Sequence, residues 1–242
     1  MRVFVTGGTG YIGRHLIPLL LDRGHKVRVL VRKIPEARVP AGCEQVPGDA
    51  LMGASFAESV KGCDCLVHLV GVPHPDPSKA DEFRRVDLAS ARAAAMAAHR
   101  ARVPHFIFVS VAQPAPVMRA YVQARREAEA AIRELGLRTT VLRPWYVLGP
   151  DRNWPRLLLP LYWLAAALPF TYDQARRLGL VELPEMLGAL LHAVENPPGT
   201  TRIVTVPEIR AQGGAWYAAA IRRQKSQADV PATSADSPGM AH

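Results

Sequence analysis

Val5 to His15 reads VTGGTGYIGRH, and no other stretch restricts the possible folds so tightly. The residues before it, Arg2–Thr6 (RVFVT), read as a short buried strand. Those after it, Tyr11–Arg23, place Ile12, Leu16, Leu19 and Leu20 on one side of an amphipathic helix. Glycines at 7, 10 and 13, between a strand and a helix, permit a tight turn, close approach of a pyrophosphate to the backbone, and close packing of helix on sheet. The helix start then offers N–H groups and a partial positive charge to an anion. In that context the spacing is the fingerprint of a dinucleotide-binding turn, with Gly7, Thr9, Gly10, Tyr11, Ile12, Gly13 and Arg14 as candidate contacts.

The rest of the chain keeps a βαβ rhythm. Gly24 ends the first helix, and Lys26–Val31 (KVRVLV), Glu44–Val46, Cys65–Val70, His105–Val109 and Thr139–Leu142 read as further strands. Helices are expected around Ala54–Val60, over Asp81–Arg102 and over Arg119–Leu135. This predicts an α/β chain: a Rossmann-type, doubly wound parallel sheet with right-handed crossovers and a small C-terminal elaboration. Residues 1–210 form one dinucleotide-binding domain, with the substrate-side elaboration starting near 150. Leu178–Val181, the helix Pro184–Glu195 and the strand Arg202–Val206 complete it. Residues 211–242 turn small and polar and read as a tail, mobile over Ser226–His242. Trp154–Phe170 is strongly apolar but broken by three prolines, and is shorter than the roughly 20 apolar residues of a membrane span. It is read as a core helix, a lid over a greasy pocket, or a surface for peripheral membrane or protein contact.

The formal charge of +9 favours anionic ligands, nucleotide phosphates among them. The basic residues are scattered without interleaved aromatics, so nucleic acid is not an expected partner. Cys43, Cys63 and Cys65 are an odd number without a disulfide framework, which points to a reduced, cytoplasmic setting. No second pair completes a metal site around Cys63 and Cys65, and His68 is read as a satisfied core residue. Met1-Arg2 leads straight into the first strand, with no secretory signal.

The second strand ends Val31-Arg32-Lys33, without the carboxylate that would accept from an adenine-ribose hydroxyl. A guanidinium at Arg32, assisted by Arg14, suits a 2′-phosphate instead. NADP(H) is therefore expected in preference to NAD(H).

With TGGTGYIGR at the front, the chain resembles the short-chain dehydrogenase/reductase superfamily in its extended or atypical branch. Gly48-Asp49, followed by Ala50, resembles the pair that binds the adenine. Leu69-Val70-Gly71-Val72 resembles the loop along the cofactor, and Leu142-Arg143-Pro144 through Val147-Leu148-Gly149-Pro150 the segment beside the nicotinamide. Tyr121 and Arg125 stand where the family has its Tyr-x-x-x-Lys pair, four residues apart on one helix face. The resemblance implies that Tyr121 exchanges a proton while hydride moves, with Arg125 as electrostatic partner. Arginine for lysine replaces a compact ammonium with a broad planar fork. The family serine would fall at Val111 or Ala112; Ser110 is slightly early, and Ser110 or Tyr146 is the candidate to polarise a substrate oxygen. Two functions are implied. One is an NADP(H)-dependent oxidoreductase for a small hydrophobic carbonyl or alcohol, which the apolar Trp154–Phe170 segment suits better than a nucleotide sugar; the C-terminal portion is also brief beside those of sugar-nucleotide epimerases. The other is a non-catalytic NADP(H)-binding sensor or accessory subunit, similar to NmrA-type proteins or an accessory subunit of respiratory complex I. The helices over 81–102 and 119–135 match a dimer surface of such relatives, so a monomer or homodimer is expected.

Overall fold

The computed structural model describes residues 1–32, 39–73, 75–115, 117–150 and 178–228. Seven strands form one parallel sheet: β1 (Arg2–Thr6), β2 (Lys26–Val31), β3 (Glu44–Pro47), β4 (Cys65–His68), β5 (His105–Val109), β6 (Thr139–Leu142) and β9 (Thr201–Val204). Their order is β3-β2-β1-β4-β5-β6-β9, and a separate parallel pair joins β7 (Tyr146–Leu148) to β8 (Leu180–Glu182). The chain winds outward from β1 to β3, then crosses back to lay β4 on the other side of β1. In open α/β sheets such a reversal leaves a crevice at the carboxyl ends of the two strands.

Strand alternation divides the core into two layers. Val3 and Val5 pack with α1 (Tyr11–Asp22) and α6 (Leu183–Glu195) through Leu16, Leu20 and Leu190. Phe4, between them, faces the opposite layer with Ala91, Ala95 and Ile132 of α4 (Ala89–Arg100) and α5 (Arg119–Glu134). Short α2 (Ala57–Val60) covers the β3 side. The helix read over 81–102 is present but not uniform. Between α3 (Ala80–Glu82) and α4 lies a π-helical turn, Phe83–Leu88, which carries a buried aspartate, Asp87. π turns interrupt helices mostly where a side chain must be re-aimed.

The C-terminal expectation needs correction. Residues 211–228 are not tail but most of a helix, α7 (Val206–Ala228), packed against α6. A Cβ on Gly188 of α6 would fall on the Gly213 carbonyl, and one on Gly213 would fall on that of Glu185. The small residues that resembled a disordered composition are what lets two helix backbones touch. Trp216 then meets His192 in a tilted contact, ring centroids 4.7 Å apart, with the Arg23 guanidinium 5.8 Å from its ring.

Three helices end alike at the amino-terminal edge of the sheet. After α1, Gly24 (φ 78°) donates to Leu21; after α5, Gly136 (φ 66°) donates to Arg133. After α4 the same left-handed position holds Arg102 (φ 53°), donating to His99. A residue with a Cβ costs about 1–2 kcal/mol there.

Two histidines lie inside the sheet. His68 is fully buried and bonds Thr6 Oγ1 at 2.8 Å and Ser90 Oγ at 3.3 Å, so it is a satisfied core residue as expected. His105 bonds Thr140 Oγ1 at 2.9 Å. Burial, aided by Arg125, pushes His68 down to about 3, and burial, aided by Arg138, pushes His105 down to about 4. Both rings thus stay neutral when folded, whereas the unfolded chain takes up protons below about pH 6.5. Stability is complete above that pH and falls as pH drops toward 4. Urea unfolding should therefore show a loss on the order of 2–3 kcal/mol per ring between pH 7 and 4.5. A His105→Gln variant, though less stable at pH 7, should show a shallower fall.

Among the described residues no helix is long and apolar enough to cross a membrane. The apolar run read over 154–170, and the tail beyond 228, lie outside them.

Candidate functional site

The three glycines of the first turn are glycines for different reasons. Gly7 sits at φ +76°, and a Cβ there would come within 2.8 Å of the Leu69 carbonyl carbon, so the turn rests directly on the end of β4. A Cβ on Gly13 would lie 2.5 Å from Gly8 Cα and 2.6 Å from the Gly7 oxygen. The fold itself therefore requires both. Gly10 is different: at φ −76°, ψ 176° its backbone suits any residue, and a Cβ would meet just the Gly7 oxygen at 3.1 Å. It is exposed and caps α1 without a side chain. A bare backbone at the amino end of a twelve-residue helix fits a phosphate that must approach closely, and the packing gives no stronger reason for it.

From this turn a cleft of about 230 Å³ runs along the carboxyl ends of β1, β4, β5 and β6. Its walls include Gly7, Gly10, Tyr11, Ile12 and Gly13 on one side, Gly71 and Val72 at the β4 loop, Ser110, Tyr121 and Arg125 opposite, and Pro144, Tyr146 and Val147 beyond β6. Twelve of the eighteen residues singled out from the sequence for catalysis or cofactor contact, Tyr146 included, thus meet in one cavity. Thr9, Arg14, Arg32, Asp49, Ala50 and Val70 do not line it. Arg32 is exposed just past β2, and the Asp49 carboxylate, beyond β3, accepts from Leu51 N–H at 2.9 Å. The Arg14 guanidinium lies over the Tyr11 ring at 5.4 Å.

Arg125 is buried and committed. It donates to Val109 O at 2.9 Å and Asp87 Oδ1 at 2.5 Å, and reaches Val70 O at 3.5 Å. Asp87 Oδ2 accepts from Val72 N–H at 3.1 Å. The guanidinium passes directly over Gly71, where a Cβ would collide with Nη2. Its carbon stands 5.3 Å from the Tyr121 ring and 5.5 Å from that of Phe108. Burial works against the Arg125 charge, but the Tyr121 phenol and the Asp87 carboxylate outweigh it and hold its pKa above the ordinary guanidinium value. Burial raises the Asp87 carboxyl, against the pull of Arg125 and the Val72 N–H. With the guanidinium 2.5 Å away, Asp87 serves as its counter-ion. Arg125 thus brings a permanent charge beside Tyr121 while tying α5, β5 and the π turn together.

Ser110 lines the cleft, yet its hydroxyl proton goes to Glu129 Oε1 at 2.5 Å. The buried Glu129 also accepts from Gln113 at 2.8 Å and, through both oxygens, from Arg143 at 3.1 and 2.5 Å. While that bond stands, Ser110 cannot donate to a substrate oxygen. The expectation that it polarises a carbonyl is not met by this geometry. Tyr146 lies in the wall and remains in position to contribute.

Two buried carboxylates were therefore missed. Glu129 could have been found, because Tyr121, Arg125 and Glu129 repeat at four-residue spacing along one face of α5. Asp87 follows Phe83 by four within an otherwise core-facing stretch, but its partner is visible only in three dimensions. Among the described residues no group of His, Cys, Asp or Glu could hold a metal ion.

A model of an NAD(P)H-binding family matches residues 7–155. The chain is 28% identical over 218 residues to a ceramide reductase of Caulobacter vibrioides, covering 88% of this chain and 67% of that protein. It is 31% identical over 173 residues to a 4-hydroxy-2-methyl-3-oxo-4-farnesyl-3,4-dihydroquinoline-1-oxide ketoreductase of Stigmatella aurantiaca, covering 62% of this chain and about half, 52%, of that protein. Its fold is similar to that of a short-chain dehydrogenase/reductase superfamily protein from Agrobacterium tumefaciens with bound NAD: TM-score 0.61, 17% identity, 94% of this chain and 98% of that one.

Proposed function

The chain belongs to the NAD(P)H-binding family whose model spans residues 7–155, and on that premise we propose that it is an NADP(H)-dependent oxidoreductase of the short-chain dehydrogenase/reductase type, acting on a small hydrophobic carbonyl compound or alcohol. The observation that carries this reading is the cleft joining the α1 glycine turn to Tyr121 and its buried cationic neighbour. When bound, the cofactor supplies or accepts the hydride. The chain's own part is to receive the pyrophosphate against Gly10 and the first N–H groups of α1, and to hold the phenol of Tyr121 at the substrate oxygen. In reduction the phenol gives its proton to that oxygen; in oxidation it takes one back. Arg125 favours the phenolate left behind.

Leu69, Val72, Pro73, Pro75 and Trp145 give the cleft an apolar stretch of wall beside its polar groups, which supports a hydrophobic substrate. The two relatives named for reduction of lipophilic compounds agree with that choice. Arg32, exposed where an NAD-specific site would carry a carboxylate, supports NADP(H).

The test is NADPH oxidation followed across a panel of apolar ketones and aldehydes. Tyr121→Phe should lower turnover at least about a hundredfold with NADPH affinity unchanged. Arg32→Glu should remove the preference for NADPH over NADH. Turnover that survives loss of the phenol would overturn the role of Tyr121. One observation favours a second reading, a non-catalytic NADP(H)-binding protein: both Nη groups of Arg125 are engaged by Val109, Val70 and Asp87 rather than left for a ligand. That reading keeps NADPH binding and gives no turnover on any substrate.

A further inference from the structure

A cavity of about 650 Å³ lies at the opposite edge of the sheet from the cleft, below the amino ends of β5, β6 and β9. Its lining holds His99, Arg102, Arg133 and Arg138 and no carboxylate, and none of these four side chains has a hydrogen-bond or ion-pair partner among the described residues. Two of the four have a sufficient local reason. His99 and Arg133 fall in the last turns of α4 and α5, where a cation complements the helix dipole.

That reason does not extend to Arg102. It stands beyond α4 in the left-handed position that the chain fills with glycine after α1 and α5, with the same capping hydrogen bond. Glycine would relieve the backbone at no loss of any contact the structure shows. A strained arginine set among unneutralised arginines breaks two local rules at once, and such departures gather at functional sites. The positive field also reaches inward, since Arg138 is one cause of the depressed His105. The concavity is shallow and all four cationic side chains are exposed at it, within reach of a compact ligand.

We propose that this concavity binds a multiply charged phosphate-bearing anion, with Arg102 and Arg138 as its principal contacts. The geometry suits a di- or triphosphate group, whether carried by a soluble molecule or presented as a lipid headgroup. It is independent of the cofactor cleft and of the reaction there.

The experiment compares wild type, Arg102→Gly and Arg138→Ala, each saturated with NADPH. One arm titrates inorganic tripolyphosphate by calorimetry; the other measures sedimentation with vesicles containing phosphatidylinositol bisphosphate. At least tenfold weakening in both variants is expected, in the tripolyphosphate arm for a soluble ligand or in the vesicle arm for a headgroup. Arg102→Gly should at the same time raise Tm by about 2–4 °C, because it relieves the strained cap. Anion affinity that is absent in both arms, or identical in all three proteins, overturns the proposal. A lower Tm for Arg102→Gly overturns the strain argument on which it rests.

Discussion

Gly10→Val should leave the protein folded and unable to bind its dinucleotide. The backbone at Gly10 is one that valine adopts, and the nearest atom to an added Cβ is the Gly7 oxygen at 3.1 Å. The apo protein should therefore melt within a few degrees of wild type. The added methyls would instead occupy the space in front of the α1 N–H groups, where a pyrophosphate has to come within hydrogen-bonding distance. At a hundredfold excess over Kd, a ligand specific for the folded state adds about 2.7 kcal/mol. For a chain of this length that is a rise in Tm of roughly 5–10 °C. NADPH should give that rise to wild type and none to Gly10→Val. Gly7→Val and Gly13→Val should instead lower the Tm of the apo protein, since their side chains meet backbone at 3 Å or less. The contrast within one turn separates a glycine kept for the ligand from glycines kept for the fold.

The second large effect concerns Asp87. Its removal strands a buried guanidinium, and breaking one side of a buried pair typically costs 3–5 kcal/mol. Asp87→Ala should lose about that much in urea unfolding. Asp87→Asn, which keeps an acceptor for Arg125 Nη2, should lose clearly less. Gly71→Ala belongs with Asp87→Ala although it removes nothing, because the new methyl must displace the same guanidinium. Combining Asp87→Ala with Arg125→Met should cost less than the sum of the two, as expected for side chains in direct contact. Additive losses would mean that the pair does not act as a unit.

Much of this was legible in the chain itself, for identifiable reasons. The strands of a doubly wound sheet are buried on both sides and read as apolar runs, so β1, β2, β5 and β6 were placed within a residue or two of their observed ends. The glycine turn was legible because its chemistry is local. The Asp87–Arg125 contact was not, since its two residues are 38 apart and meet through a π turn that no periodicity announces. Composition misled at α7, where AQGGAWYAAA has the small residues of a loop but uses Gly213 to bring two helices into backbone contact. Ser110 was chosen by its place beyond β5, and the carboxylate that claims its hydroxyl comes from α5, nineteen residues on. Local signals located the elements; the partners of buried charges depended on how those elements crossed.

Calorimetric titration of the wild-type chain with NADPH and with NADH addresses the central claim most directly. Saturable binding at one site per chain, tighter for NADPH, is the predicted result. If neither nucleotide produces binding heat or thermal protection at millimolar concentration, the amino end of α1 is not a dinucleotide site and the functional account fails with it.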